Sequence, residues 1–183
     1  MVPDEFERLV ADYYEPLYRF AYSLTRAEAD AYDLTQQTFY IWATKGHQVR
    51  ERSKTKAWLF TTLHRNFLES RRKQARFPQQ GLDEMALSDI PSVSRDLANE
   101  ADSPQVLSAL SKVEKVYQAA VALFYLEDCS YREIAQILEV AEGTVKSRIA
   151  RGIAQLRQLM GHPVSPRTSK IDPLTSTDII YAE

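Results

Sequence analysis

A single cysteine, Cys129, among 183 residues excludes an internal disulfide framework and fits a reducing compartment. Glycine is scarce, at five residues, and strand-type alternation of apolar and polar residues is nearly absent, so an all-α chain is expected. No apolar run approaches the ~20 residues that cross a bilayer. The acidic start MVPDEFERLV has no apolar core ending in small residues, which argues against a secretory signal. A soluble, cytoplasmic chain without membrane insertion is expected. The three histidines (His47, His64, His162) lack metal-ligand spacing. No glycine-rich phosphate loop or nucleophile–base set is arguable either, so neither a metal, a cofactor nor an enzyme activity is expected.

What the chain does hold is charge, unevenly distributed. The formal net charge is only -2. Residues 1–44 carry three Lys and Arg against eight Asp and Glu, whereas residues 45–76 carry ten against two, a local +8. Residues 77–103 return to -5, with one base against six acids. Such asymmetry suggests one surface for a polyanion and another for a different partner.

Hydrophobic spacing divides the chain into two helical domains, residues 3–76 and 104–160. FERLVADYYEPLYRFAYSL steps its apolar residues by three and four, with a kink or break expected at Pro16. Thr25-Arg-Ala-Glu28 has the form of a capping box opening a second helix to about Thr44, and a long helix is predicted from Lys54 to Arg76. Residues 77–103 (glycine, two prolines, serines and six acids) read as a flexible acidic linker, and 161–183 as a disordered tail. Helical spacing resumes at Pro104, and Ser130-Tyr-Arg-Glu133 is a second capping box, starting a short helix to Leu138.

AEGTVKSRIARGIAQLRQ (141–158) follows, with four bases and no acid after Glu142. A short helix, a turn and a basic helix make the layout of a helix-turn-helix. Val145, Ile149, Ile153 and Leu156 fall within ~80° of arc, so Ser147 and Arg151 point away from the core and Lys146 and Arg148 flank it. Arg and Lys can donate to guanine O6 and N7, Ser147 can donate or accept, and Thr144 with the free helix N–H groups can hold a phosphate. A plain regulator binding duplex DNA without further machinery remains open at this point.

SYREIA, the GTVKSR run and the Arg151 that follows closely resemble the fourth conserved region of bacterial sigma factors of the extracytoplasmic-function (ECF) group. The resemblance implies binding to the promoter's -35 element, with Lys146, Ser147, Ala150 and Arg151 facing the bases. DAYDLTQQTFYIWA (30–43) is similar to the family's second region. It implies docking on the RNA polymerase core enzyme through Asp33, Leu34, Gln36 and Gln37.

KTKAWLFTTLHRNFLESRRK resembles, at Trp58-Leu59 and Arg65-Asn66, the family helix that serves the -10 element. Lys54, Lys56, Arg65, Asn66, Arg71, Arg72 and Lys73 are its expected DNA contacts, and the loop from His47 to Ser53 takes the position that captures a flipped base. Trp58 is expected in the core rather than stacked on a base. An anti-sigma factor is a further partner that the resemblance allows.

Departures from the family pattern are specific. Glu139 stands where glycine is usual between the two helices. Glu127-Asp128-Cys129 replaces a glycine-containing turn, Phe124 lies where some relatives carry Arg, and Gln37 replaces Glu.

Overall fold

A computed structural model describes residues 3–49, 51–76 and 104–161. The linker and tail readings fall outside these residues, apart from Gly161. The N-terminal half is three helices: α1 (Pro3–Thr25), α2 (Glu28–Lys45) and α3 (Thr55–Arg76), with 3₁₀ turns at Gly46–Gln48 and Arg52–Lys54. The C-terminal half is four: α4 (Pro104–Lys112), α5 (Lys115–Leu126), α6 (Tyr131–Leu138) and α7 (Glu142–Met160). Among the described residues there is no strand, so the all-α expectation holds.

Leu17, Phe20, Ala21 and Leu24 recur at helical spacing and bury the inner side of α1. Of the kink or break expected at Pro16, the break does not occur, and α1 runs through it as one helix. Its missing N–H leaves the carbonyl of Asp12 without an intrahelical donor, and Asp12 is exposed, so water can serve instead. The capping box expected at Thr25 does not form. Thr25 Oγ1 donates to the Ala21 carbonyl at 3.1 Å, and the N-cap of α2 is Ala27, whose side chain cannot cap. Glu28 and Asp30 in the first turn face the positive end of the helix dipole instead. Edge-on aromatic pairs, Trp42–Trp58 at 5.1 Å and tilted Phe20–Phe60 at 5.5 Å, lock α3 to α2 and α1. Trp58 is a packing residue, as expected.

In the C-terminal half nearly all of α5 from Gln118 to Leu126 is buried. The Gln118 amide is satisfied by donating to the Leu110 carbonyl at 3.2 Å. The second capping box does form: Ser130 Oγ accepts from the Glu133 N–H, and the Glu133 carboxylate accepts from the Ser130 N–H at 2.8 Å. On α7, Val145, Ile149, Gly152 and Leu156 face inward. Gly152 sets the approach of α7 to α5, because a Cβ there would lie 2.3 Å from Val121 Cγ2.

The two halves lie against each other around one continuous apolar core, α1 packing on α4 and α5, and α3 on α6. Polar contacts edge this joint. Arg19 Nη2 pairs with the buried carboxylate of Glu127 at 3.3 Å, and Lys56 Nζ donates to the Glu127 carbonyl at 2.6 Å. Arg65 Nε donates to Glu139 Oε2 at 3.1 Å while its Nη2 bonds Oε1. His64 is half-buried at this joint. Its pKa is pushed down to about 4, first by desolvation and then by Arg148, with Glu139 opposing.

Three measurements test this packing. Gly152→Ala, which in an open helix would gain stability, should lose about 1–3 kcal/mol in urea melts because the methyl has no room. Gly143→Ala, with nothing within 4 Å of the added carbon, should gain about 0.5–1 kcal/mol. For His64 the folded form binds fewer protons than the unfolded chain between pH 6.5 and about 4. Its contribution is therefore complete above that window and lost as pH falls through it. The stability difference between wild type and His64→Gln should shrink over that range when both are melted in urea.

Candidate nucleic-acid and polymerase interfaces

Three surfaces carry the residues that the sequence singles out. The first is an open groove of about 750 Å³ between α1 and α2, lined by Phe6, Val10, Tyr14, Asp33, Gln36, Gln37, Phe39 and Tyr40. Helical spacing brings Asp33, Gln36, Gln37 and Tyr40 to one side of α2, with Leu34, Thr35, Thr38 and Phe39 turned inward. Tyr14 stacks on Phe39 at 6.5 Å and on Tyr18 at 6.3 Å, giving the floor a rigid aromatic character. Tyr40 stands at the rim, 72% exposed. The groove can hold an amphipathic helix, with apolar floor and polar lip. Leu34 is buried at 6% exposure and supports this side of α2 from the core beneath it. Periodicity alone could have shown this, since Ala31, Leu34, Thr35 and Thr38 share one helical face.

The second surface is the outward side of α3. Leu59, Phe60 and Leu63 are fully buried, which turns Arg65, Arg71, Arg72 and Lys73 to solvent. Lys54 is exposed in the preceding 3₁₀ turn and pairs with Glu51 at 2.9 Å, and Lys73 pairs with Glu69 at 3.0 Å. Such exposed pairs are worth about 0–1 kcal/mol and exchange readily for phosphate. Lys56 and Arg65 differ, because both are already engaged by the C-terminal half. Asn66 is half-buried, and its Nδ2 has no hydrogen-bond partner among the described residues.

The third surface is the start of α7. Lys146, Ser147, Ala150 and Arg151 are exposed on its outer side, while Thr144 and Arg148 are half-buried. Arg148 lies close enough to His64 of α3 to depress its pKa, so the structure turns one flank of α7 toward the N-terminal half. Lys146 reaches 3.9 Å from Glu142 and 5.9 Å from the Tyr131 ring. The turn before α7 is held by Glu139 in the left-handed region, φ 56°. Its carboxyl is held below the usual range, chiefly by the hydrogen bond from Arg65.

Cys129 is buried, and desolvation pushes its thiol up to about 11 despite nearby Lys56. At neutral pH it is a protonated packing residue. The residues that sequence reasoning missed are Arg19 and Glu127, whose pairing spans 108 positions and leaves no trace in local spacing.

Comparison with known proteins agrees with this geometry. Residues 9–77 match the family described as Sigma-70 region 2, and residues 103–156 match Sigma-70, region 4. The ECF RNA polymerase sigma factor SigL of Mycobacterium tuberculosis is 31% identical over 149 residues, 77% of this chain and 80% of that protein. SigM of Bacillus subtilis is 28% identical over 154 residues, 84% of this chain and 93% of that protein. SigE of Mycolicibacterium smegmatis is 32% identical over 158 residues, but this chain spans only 61% of its length.

Among solved structures, the sigma factor RpoE in complex with the anti-sigma factor NepR from Bartonella quintana superposes with a TM-score of 0.70 at 28% identity. That match covers 86% of this chain and 97% of that one. CnrH, in complex with the cytosolic domain of CnrY, shares the fold at a TM-score of 0.59 and 22% identity. With both regions matched in order and SigL aligned over most of its length, the chain belongs to the ECF family of RNA polymerase sigma factors.

Proposed function

We propose that this chain binds core RNA polymerase and directs it to promoters carrying its -10 and -35 elements. The observation that carries this reading is the coexistence on one chain of the Asp33–Gln36–Gln37 groove and two separate cationic helices, α3 and α7. A regulator that only bound duplex DNA would use α7 and leave the groove without a task.

The groove would take an apolar helical surface of the polymerase, with Asp33 answering basic groups at its edge. Laid in the major groove of the -35 element, α7 would read base edges with Lys146, Ser147 and Arg151. Ala150 would allow close approach, and Thr144 and Arg148 would hold the backbone. On the -10 element, Lys54, Lys56, Arg65, Arg71, Arg72 and Lys73 would grip phosphates of the separated strand, with Asn66 beside them. The loop ahead of α3 would capture an unstacked base, whose extrusion costs a few kcal/mol that those contacts offset. The chain would perform no bond chemistry of its own, and its work would be done in the cytoplasm. An anti-sigma factor is proposed as a further partner because the protein solved with NepR shares both fold and sequence with this chain. Among the described residues, no helix is long and apolar enough to cross a membrane.

Purified chain should form a stoichiometric complex with core polymerase and start transcription in vitro at promoters mapped after its induced expression. Arg151→Ala should cost about 1–3 kcal/mol of promoter discrimination in competition binding while leaving polymerase association unchanged. Asp33→Arg should do the reverse, weakening polymerase binding at least about tenfold in fluorescence titrations, with the fold intact because Asp33 is exposed. An Arg151→Ala chain that loses polymerase binding would refute the division of surfaces.

A further inference from the structure

We infer that Trp42 is a specificity-determining residue of the base-capturing loop, its indole N–H donating to a carbonyl oxygen of the unstacked base. This rests on the assignment of the loop ahead of α3 to base capture made above.

Trp42 lies in the last turn of α2, at the root of that loop, and is 6% exposed. Its Nε1 is buried and has no hydrogen-bond partner among the described residues. A buried tryptophan ordinarily finds an acceptor, because an indole nitrogen only donates and its loss of water is otherwise uncompensated.

What lies over the nitrogen is the first turn of the loop. A Cβ on Gly46 would stand 2.6 Å from Cδ2 and Cε2 of Trp42 and 3.0 Å from Nε1. Gly46 has φ -60° and ψ -25°, which any residue adopts, so glycine here serves the close approach and not the turn. The backbone that roofs the indole nitrogen also carries His47 and Gln48, both exposed.

That roof is lightly held. The Val49 N–H donates to the Gly46 carbonyl at 2.9 Å and the Lys54 N–H to the Glu51 carbonyl at 3.0 Å, each closing a single 3₁₀ turn. The Arg52–Glu5 pair, which ties the loop to α1, is 91% and 53% exposed and adds little in water. A base entering beside Gly46 therefore displaces weak ties and meets a donor that has already lost its water. Guanine O6 and thymine O4 can accept from it, whereas adenine places an amino donor there.

The test uses the full chain, isotope-labelled on nitrogen, and a single-stranded oligonucleotide carrying the non-template -10 sequence of a promoter mapped after induced expression. The chain has two tryptophans, so two indole N–H signals are expected in the magnetic resonance spectrum, and Trp42→Phe identifies its own by removing it. At saturation the Trp42 indole proton should move downfield, as hydrogen-bonded protons do, and an abasic site at the captured position should abolish the shift. Wild type should bind a probe with guanine at that position about threefold to tenfold more tightly than one with adenine, and Trp42→Phe should level the two. Polymerase association should be the same in both chains. An unmoved Trp42 signal at saturation, with the Gly46 amide shifting, overturns the inference, and so does a guanine preference that survives in Trp42→Phe. Should that variant not fold, the wild-type spectrum decides alone. If the oligonucleotide binds and neither the indole nor Gly46 responds, the assignment of this loop to base capture fails, and the inference with it.

Discussion

One helix, α3, is under two demands, and the rest of the structure follows from how they are met. Its inner side must bury Leu59, Phe60 and Leu63 against α1 and α2, and this fixes which way every other residue points. Burial of three such side chains contributes on the order of 5–8 kcal/mol, far more than any exposed ion pair on the same helix. The apolar side therefore dictates and the cations follow. Arg65, Arg71, Arg72 and Lys73 are presented outward because the core leaves them no other orientation. The same logic holds on α7, where Val145, Ile149 and Leu156 set the inner side and so display Lys146, Ser147 and Arg151.

This explains what could be read from the sequence and what could not. Side-chain direction on a helix is periodic, so the outward residues of α7 and the capping box at Ser130 were legible from spacing. For Leu34 the family likeness marks the segment as partner-binding while periodicity places the side chain inward, and in the fold it is buried. The break at Pro16 and the cap at Thr25 did not materialise for a related reason. Local rules favour a kink or break and a cap there, but α1 is held helical through Pro16 by the buried residues that follow it and the partly buried Phe6, Val10, Tyr13 and Tyr14 that precede it. Wherever tertiary burial and local propensity compete, burial prevails.

Contacts across the joint were not legible at all. Arg65 and Glu139 stand 74 positions apart, and Arg19 and Glu127 stand 108 apart, so no spacing rule couples them. What the sequence did carry was the oddity of each acid taken alone. Glutamate in a turn that favours a left-handed residue costs about 1 kcal/mol relative to glycine, and the fold resolves that oddity by giving the carboxylate a partner in the other half.

A joint made of charge and a joint made of apolar surface respond differently to the same intruder. Apolar contact between α3 and α6 is indifferent to salt and to the charge of whatever approaches. An exposed carboxylate on a guanidinium is neither, because a nucleic-acid phosphate offers the arginine an equivalent fork and releases counterions as it binds. Placing acids rather than further leucines at the edge of the joint makes that edge sensitive to ionic strength. In this geometry the exposed Arg65–Glu139 pair adds little to the stability of the fold, and its main effect is to set where that guanidinium points.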